Sequence, residues 1–375
     1  MLKSNIAWMK KNVPSDLKVW KGMIQDIDWS QVAAKAKLSL QRDKDRITAE
    51  FKELAAMDTS AKIDWLMNGD RHLGYLYKKD AIAFARREWK GLKSVGYDFV
   101  GWLKIWGGML NMVMKDPMSI MLAVFEYHWF ASYLATPAVV DRSVFGRRGK
   151  LLQADFDMWV AITHWAEDLI ANLIMADAKI GGNEKINKRI IMFDEMTMAQ
   201  MMAGFPNLLG IPYQMIPVFM VSEMDQLTLI PYIDAIESYG LPSDTCPLPT
   251  AECGCAVKDE YPMCGQGFIA SSMPCDGSVM ATSFQDRRFS KFMPSYPLCM
   301  PVRYDDEDTT EMAAADMKDC IHWVEGLTGE TWNWDTYFAT MEKMNECTRL
   351  EMEKWEINKT HYPQLVGSSF ELFRK

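Results

Sequence analysis

Short apolar runs of strand length alternate with longer helix-patterned stretches in the second half of this chain. That alternation limits the fold more than any other feature of the sequence. The runs are RIIMFDE at 189–195, GFIASSM at 267–273 and YPLCMPV at 296–302. Between the first two, MAQMMAGFPNLLGIPYQMIPV reads as a helix broken at Phe205-Pro206, then a turn and a further apolar run. LTLIPYIDAIESYG reads as a helix closed by Gly240, a residue suited to a helix C-terminus. After the last run come two amphipathic helices. One aligns Ala313, Met317, Ile321 and Val324; the other aligns Tyr337, Met341, Met344, Thr348, Met352 and Trp355. An acidic run, RYDDEDTTEM, leads into the first of them, with Thr309 or Thr310 as the expected N-cap. Strands alternating with helices call for an α/β layer built on a parallel sheet, here of flavodoxin-like type.

The first half differs. Residues 1–185 form a large, mostly helical N-terminal region, and 186–375 the α/β domain that ends in the helix pair. The loop AKIGGNEKINK, 178–188, is the expected boundary. In 155–180, Trp159, Ile162, Trp165, Leu169, Ile170 and Leu173 recur at helical intervals. This stripe reads as core or as an interface with a sister subunit. The 30 methionines and 14 tryptophans suit adaptable, strongly apolar contact surfaces of that kind.

Charge and motifs exclude several function classes. A formal net charge of −9 argues against a nucleic-acid partner. The N-terminus lacks the apolar core of a signal peptide, so a cytoplasmic protein is expected. The most apolar stretch, 117–140, carries Glu126 and His128 in its middle and reads as a buried or partner-facing helix rather than a membrane span. The five histidines are scattered without a paired zinc spacing, and no phosphate-binding GxxxxGK[ST] loop is present.

All eight cysteines follow residue 245: Cys246, Cys253, Cys255, Cys264, Cys275, Cys299, Cys320 and Cys347. Without a secretory signal, metal or redox chemistry is the better reading than disulfides. The spacing of the first four fits neither a zinc ribbon nor a bacterial ferredoxin run. Cys320 and Cys347 lie in the helix pair and read as packing residues. Cys275 stands apart because it follows a strand-type run and precedes a helix-type one. That is the carboxyl end of a strand, where α/β sheets place their ligands. Cys246, between a helix and a Pro-rich loop, is the other loop-like thiol. Both are candidate iron–sulfur ligands, set against the alternative that each is a small buried hydrophobe.

Four stretches in order, IESYGLPSDTCPLP, GFIASSMPCDGSVMATSF, YPLCMPVRY and MAAADMKDCIHWVEGLTGETWNWDTYFATMEKMNECTRL, resemble the 2-hydroxyacyl-CoA dehydratase/benzoyl-CoA reductase family, specifically the dehydratase D-component, over roughly 186–375. The matching positions are Cys246, then Cys275 with Asp276 and Gly277, then Glu325, Thr328, Gly329 and Asp335. The resemblance implies an oxygen-sensitive enzyme of anaerobic metabolism that carries a [4Fe-4S] cluster. Cys246 and Cys275 would be its ligands, with Asp276 and Gly277 beside them. It implies removal of water from an (R)-2-hydroxyacyl-CoA by a ketyl-radical route after one-electron activation. The implied partners are a sister subunit of the same family, an ATP-dependent activator iron–sulfur protein and an acyl-CoA substrate. The family's third cluster cysteine lies in a further α/β domain, and Cys299, Cys320 and Cys347 do not match it; either another chain supplies that thiolate, or the cluster is ligated unusually, or it is lost. Cys253, Cys255, Cys264 and Thr197 are weaker site candidates, and no catalytic side chain is assigned. Arg287 and Arg288 read as surface salt-bridge partners or contacts to a CoA phosphate. Two alternatives stand beside the dehydratase reading: an aryl-CoA or enoyl-CoA reductase subunit of the same family, and a non-catalytic structural or assembly subunit.

Overall fold

The computed structural model describes residues 28–62, 92–144, 149–194, 199–214, 226–242, 244–272, 276–289, 293–299 and 306–359, with a few single positions between these segments. The chain divides into two compact units, Met1–Gly182 and Asn183–Lys375.

The first unit is helical throughout its described residues: α1 (Trp29–Ala56), α2 (Leu92–Lys115), α3 (Pro117–Glu126), a 3-10 turn (His128–Ala135), α4 (Thr136–Val144) and α5 (Gly149–Ala176). The 117–140 stretch is thus broken into short elements. Asp116 caps α3 by accepting from the Ser119 backbone N–H at 3.1 Å, with Pro117 at the first helical position. Ile120, Leu122, Ala123, Tyr127, Trp129 and Phe130 of this stretch are buried. None of the described helices is long and apolar enough to cross a membrane.

Two glycines let α2 and α5 approach closely. A Cβ on Gly101 would overlap the Phe156 ring, and one on Gly108 would lie 2.5 Å from Glu167 Oε1. The helical stripe on α5 is only partly inside: Trp159, Ile170 and Leu173 are buried, whereas Trp165 is exposed. Between the apolar positions run three buried polar residues on one face: Asp155, Thr163 about two turns on, and Glu167 one turn further.

The second unit contains the sheet. Its elements are α6 (Glu184–Asn187), β1 (Ile190–Phe193), α7 (Ala199–Met202), β2 (Leu209–Pro212), a 3-10 turn (Gln226–Leu229), α8 (Ile230–Glu237), α9 (Pro247–Val257), β3 (Gly267–Ser271), α10 (Asp276–Phe289), β4 (Ser295–Leu298), α11 (Glu307–Thr328) and α12 (Trp334–Asn358). All described pairings are parallel and the strand order is β2-β1-β3-β4, the flavodoxin-like arrangement. Every residue of β1 and β3 is buried, as expected for central strands covered on both faces. Ile191, Phe193, Phe205, Ile269, Leu298, Ile321, Val324 and Trp332 form the core between sheet and helices. Burial of such side chains stabilises by roughly 1.5–3 kcal/mol each.

Three details differ from the sequence expectations. Asp306, not Thr309 or Thr310, caps α11; its carboxylate accepts from the Thr309 N–H at 2.6 Å. A carboxylate is the better cap because its charge also meets the positive end of the helix. The run containing Cys299 stops being strand at Leu298, which leaves that cysteine just past the sheet. The apolar stripe of α12 has no fully buried residue: Met352 and Trp355 are exposed, and so is Cys347. Cys320, by contrast, is fully buried in the core, as a packing residue should be.

Candidate functional site at the carboxyl edge of the sheet

The chain runs outward from β1 to β2 and then returns to place β3 on the other side of β1. The carboxyl ends of β1 and β3 therefore flank the topological switch point, where open α/β sheets open a crevice for ligands. Asp194 follows β1 directly. Its carboxylate is buried, and Oδ2 accepts from the Ser271 backbone N–H at 2.7 Å and from the Ser271 hydroxyl. A charged acceptor with two donors on the neighbouring strand ties the two strand ends together. Asp194→Ala would leave the buried Ser271 N–H without this acceptor, a loss of about 1–3 kcal/mol. Denaturant titration of the full chain should show that drop in stability, with Asp194→Asn retaining part of the loss.

The neighbouring strand end is pinned in a similar way. The Ser272 N–H donates to the Leu298 carbonyl at 3.0 Å, which extends the β3–β4 ladder by one residue. Asp316 of α11 accepts from the Cys299 N–H at 2.6 Å and from the Tyr296 hydroxyl at 2.7 Å. Cys299 is exposed. At the end of β2, Tyr213 stacks on Tyr261 with centroids 4.6 Å apart. Gln214 donates to Gln285 Oε1 of α10 at 2.8 Å, and Gln285 donates to the Tyr261 hydroxyl at 3.0 Å. Burial, with Cys255 and Glu252 nearby, pushes the Tyr261 phenol well above its ordinary range, so this hydroxyl keeps its proton.

The cysteines sort by environment. Cys246 is exposed at the N-cap of α9, and its carbonyl accepts from the Thr250 N–H at 3.3 Å and hydroxyl at 2.8 Å. Pro247 at the first helical position fixes where that helix starts. Cys253, Cys255 and Cys264 are buried. Cys253 packs with Ile236 and Ala281, and burial, then the Glu252 charge, pushes its thiol up to about 12. Burial does the same to Cys320, also up to about 12. In the metal-free chain such thiols stay protonated at neutral pH. Cys275 and Thr197 lie outside the described residues, as do the side chains of Asp276, Arg287 and Arg288. Asp276 begins α10, and Gly277 is half-buried in its first turn. Among the described residues no three His, Cys, Asp or Glu side chains converge as metal ligands.

The residues of the helix-pair motif build the turn between α11 and α12. Gly329 ends α11 in the left-handed region at φ 75°, and its N–H bonds to the Glu325 carbonyl. The Glu325 carboxylate accepts from the Trp332 N–H at 2.8 Å, and the Thr328 hydroxyl donates to the Val324 carbonyl at 2.8 Å. Glu325, Thr328 and Gly329 thus hold the turn that seats Trp332 in the core; the described geometry gives them no part at the sheet edge. Asp194 is the site residue that sequence reasoning passed over. Its signal was an acid directly after a wholly apolar run, a position where burial must be answered by a fixed partner.

No curated protein matches the chain, and no solved structure matches it. The carboxyl-terminal segment, residues 226–373, matches the family of the 2-hydroxyglutaryl-CoA dehydratase D-component.

Proposed function

We propose that this chain is a subunit of a 2-hydroxyacyl-CoA dehydratase-type enzyme, with Cys246 and Cys275 as thiolate ligands of a [4Fe-4S] cluster. The observation that supports this reading best is the flavodoxin-like strand order. The switch point lies beside β3, and Cys275 stands in the sequence between that strand and α10. The family match spans both cysteines.

The donor chemistry fits an iron–sulfur group. The described thiol of the pair, Cys246, is exposed, whereas Cys253 and Cys320 sit in apolar surroundings that keep them neutral. When bound, such a cluster supplies a one-electron relay and a Lewis-acidic iron for an acyl oxygen. The chain's own contribution is positional. Asp194 and Ser271 fix the end of β3. Gly277 lies half-buried in the first turn of α10 and has no side chain to cover the backbone there. The sister subunit, the ATP-dependent activator and the acyl-CoA substrate belong to the same proposal.

The test is anaerobic purification of the full chain followed by iron and sulfide analysis and absorption spectroscopy. A brown protein that is bleached by Cys275→Ser, and equally by Cys246→Ser, is the expected result. A colourless, iron-free chain with all thiols reduced overturns the reading and leaves a structural subunit as the answer. With a cluster present, loss of water from a 2-hydroxyacyl-CoA, rather than reduction of an aryl-CoA, identifies the dehydratase.

A further inference from the structure

We propose that α2 carries a self-association surface: a second copy of this chain lays its own α2 antiparallel along the solvent-facing stripe of this helix, giving a two-fold dimer. This surface lies in the helical unit and is independent of the cluster.

The helix has two apolar stripes. Gly101, Ile105, Gly108 and Met112 form the first and are buried, with Phe156 and Glu167 of α5 lying against the two glycines. Phe99, Leu103, Trp106 and Leu110 form the second, and all four are exposed. A surface helix is polar on the side away from its core, whereas one that is apolar on both sides is covered on both. The cation beside the second stripe, Lys104, pairs with Asp157 of α5 at 3.5 Å, so it needs no acid from a partner.

Spacing identifies the occupant. Gly96, Phe99, Leu103, Trp106, Leu110 and Val113 step by three, four, three, four and three residues. That is a heptad seam, which accepts another helix lying nearly alongside. The series also reads the same from either end. A second copy turned end for end therefore sets Phe99 against Leu110, Leu103 against Trp106 and Gly96 against Val113. Each layer occurs twice and pairs a larger side chain with a smaller one. This is the self-complementarity that a two-fold interface requires. Gly96 and Gly107 add open notches on this side, since nothing stands within 4 Å of a Cβ added to either.

The area agrees with a dimer. Phe99 and Trp106 are 60% and 55% exposed, which leaves roughly 250 Å² open between them. Val100, Leu103 and Leu110, at 42%, 57% and 48%, bring the face to roughly 450–500 Å², a size that marks functional patches. Two copies would bury roughly 900–1,000 Å² of apolar surface before the rim is counted, close to the ~1,000 Å² that a specific interface needs.

Sedimentation equilibrium of the full chain over a range of concentrations tests this. Wild type should dimerise, and amide exchange in α2 peptides should slow as the dimer fills. Leu103→Glu and Trp106→Lys should each weaken dimerisation at least tenfold, since each buries a charge at the centre of the seam. Met352→Glu, on the other exposed apolar helix face, α12, should dimerise as wild type does. Mixing Leu103→Glu with Trp106→Lys should restore the dimer at concentrations where each alone is monomeric, because antiparallel pairing brings the new charges together. That rescue also shows that both variants are folded. A monomeric wild type overturns the inference. If its α2 peptides are protected at every concentration, the chain's own residues cover the face; if they are unprotected, a different protein does. A dimer that Met352→Glu disrupts and Leu103→Glu does not, or a mixture that fails to re-form the dimer, overturns it as well.

Discussion

Replacing Glu167 with glutamine should stabilise the helical unit by about 2–3 kcal/mol at pH 8 and by little at pH 4.5. Glu167 lies on α5 against Gly108 of α2, and its side chain is only 6% exposed. Neither carboxylate oxygen has a hydrogen-bond partner among the described residues. Burial raises its pKa from 4.5 to about 7; Lys115 opposes that rise and Asp168 adds to it. His164 Nδ1 stands 3.6 Å from Oε2.

The sign follows from where the protons sit. Below pH 4.5 the folded and unfolded chains both keep the proton. Between about 4.5 and 7 the unfolded chain releases it while the folded chain holds it, so stability falls as pH rises through that window and then levels off. A neutral amide in the same place carries no such penalty. The difference between Glu167→Gln and wild type should therefore grow from pH 4.5 to 7 and stay constant above. Hydrogen exchange of peptides from α2 and α5 reports on this unit alone. A gain that does not vary with pH would show that Glu167 acts through shape rather than charge. The close approach of Gly108 makes the position intolerant: the group that fills the notch is the group that titrates.

What could be read from the sequence depended on whether a local pattern carried the information. β1, β3 and β4 were legible because each is a short run bounded by turn residues, and Cys275 because it follows one of them. The helix pair was legible from its period, but its exposure was not. The α12 stripe of Met344, Met352 and Trp355 has the spacing of a buried face, yet those residues are exposed. Periodicity tells which residues share a face, not whether anything covers it. The same holds for Trp165 on α5. Cys253 and Cys299 show the limit for the site. Both are single thiols near glycines and prolines in sequence. Only the packing of α9 against α8 and α10 buries one, and only the β3–β4 register puts the other at the sheet edge. Asp194 and Glu167 were hidden for a related reason, since a buried carboxylate is defined by its three-dimensional surroundings and has no sequence period.

Gly254→Ala should destabilise the sheet-containing unit by about 3 kcal/mol or more, although alanine is the better helix former. Gly254 lies on α9 between Cys253 and Cys255. A Cβ there would stand 1.9 Å from the Tyr232 carbonyl oxygen and 2.5 Å from its carbon. These are backbone atoms of α8, so no rotamer change relieves the overlap and the two helices must separate. Tyr232 is fully buried, and its hydroxyl bonds to Glu260 Oε2 at 2.6 Å, which resists that movement. Gly326 provides the control. It lies inside α11, is exposed, and nothing stands within 4 Å of a Cβ added to it. Gly326→Ala should stabilise by roughly 0.5–1 kcal/mol through helix propensity alone. The same methyl group thus has opposite effects at two helical glycines, and urea titration of both variants measures each. Cys246 is the N-cap of α9, so, on the proposed reading of Cys246 as a cluster ligand, Gly254→Ala should lower retained iron along with stability. Equal and favourable effects at the two glycines would mean that α8 and α9 do not meet as closely as described.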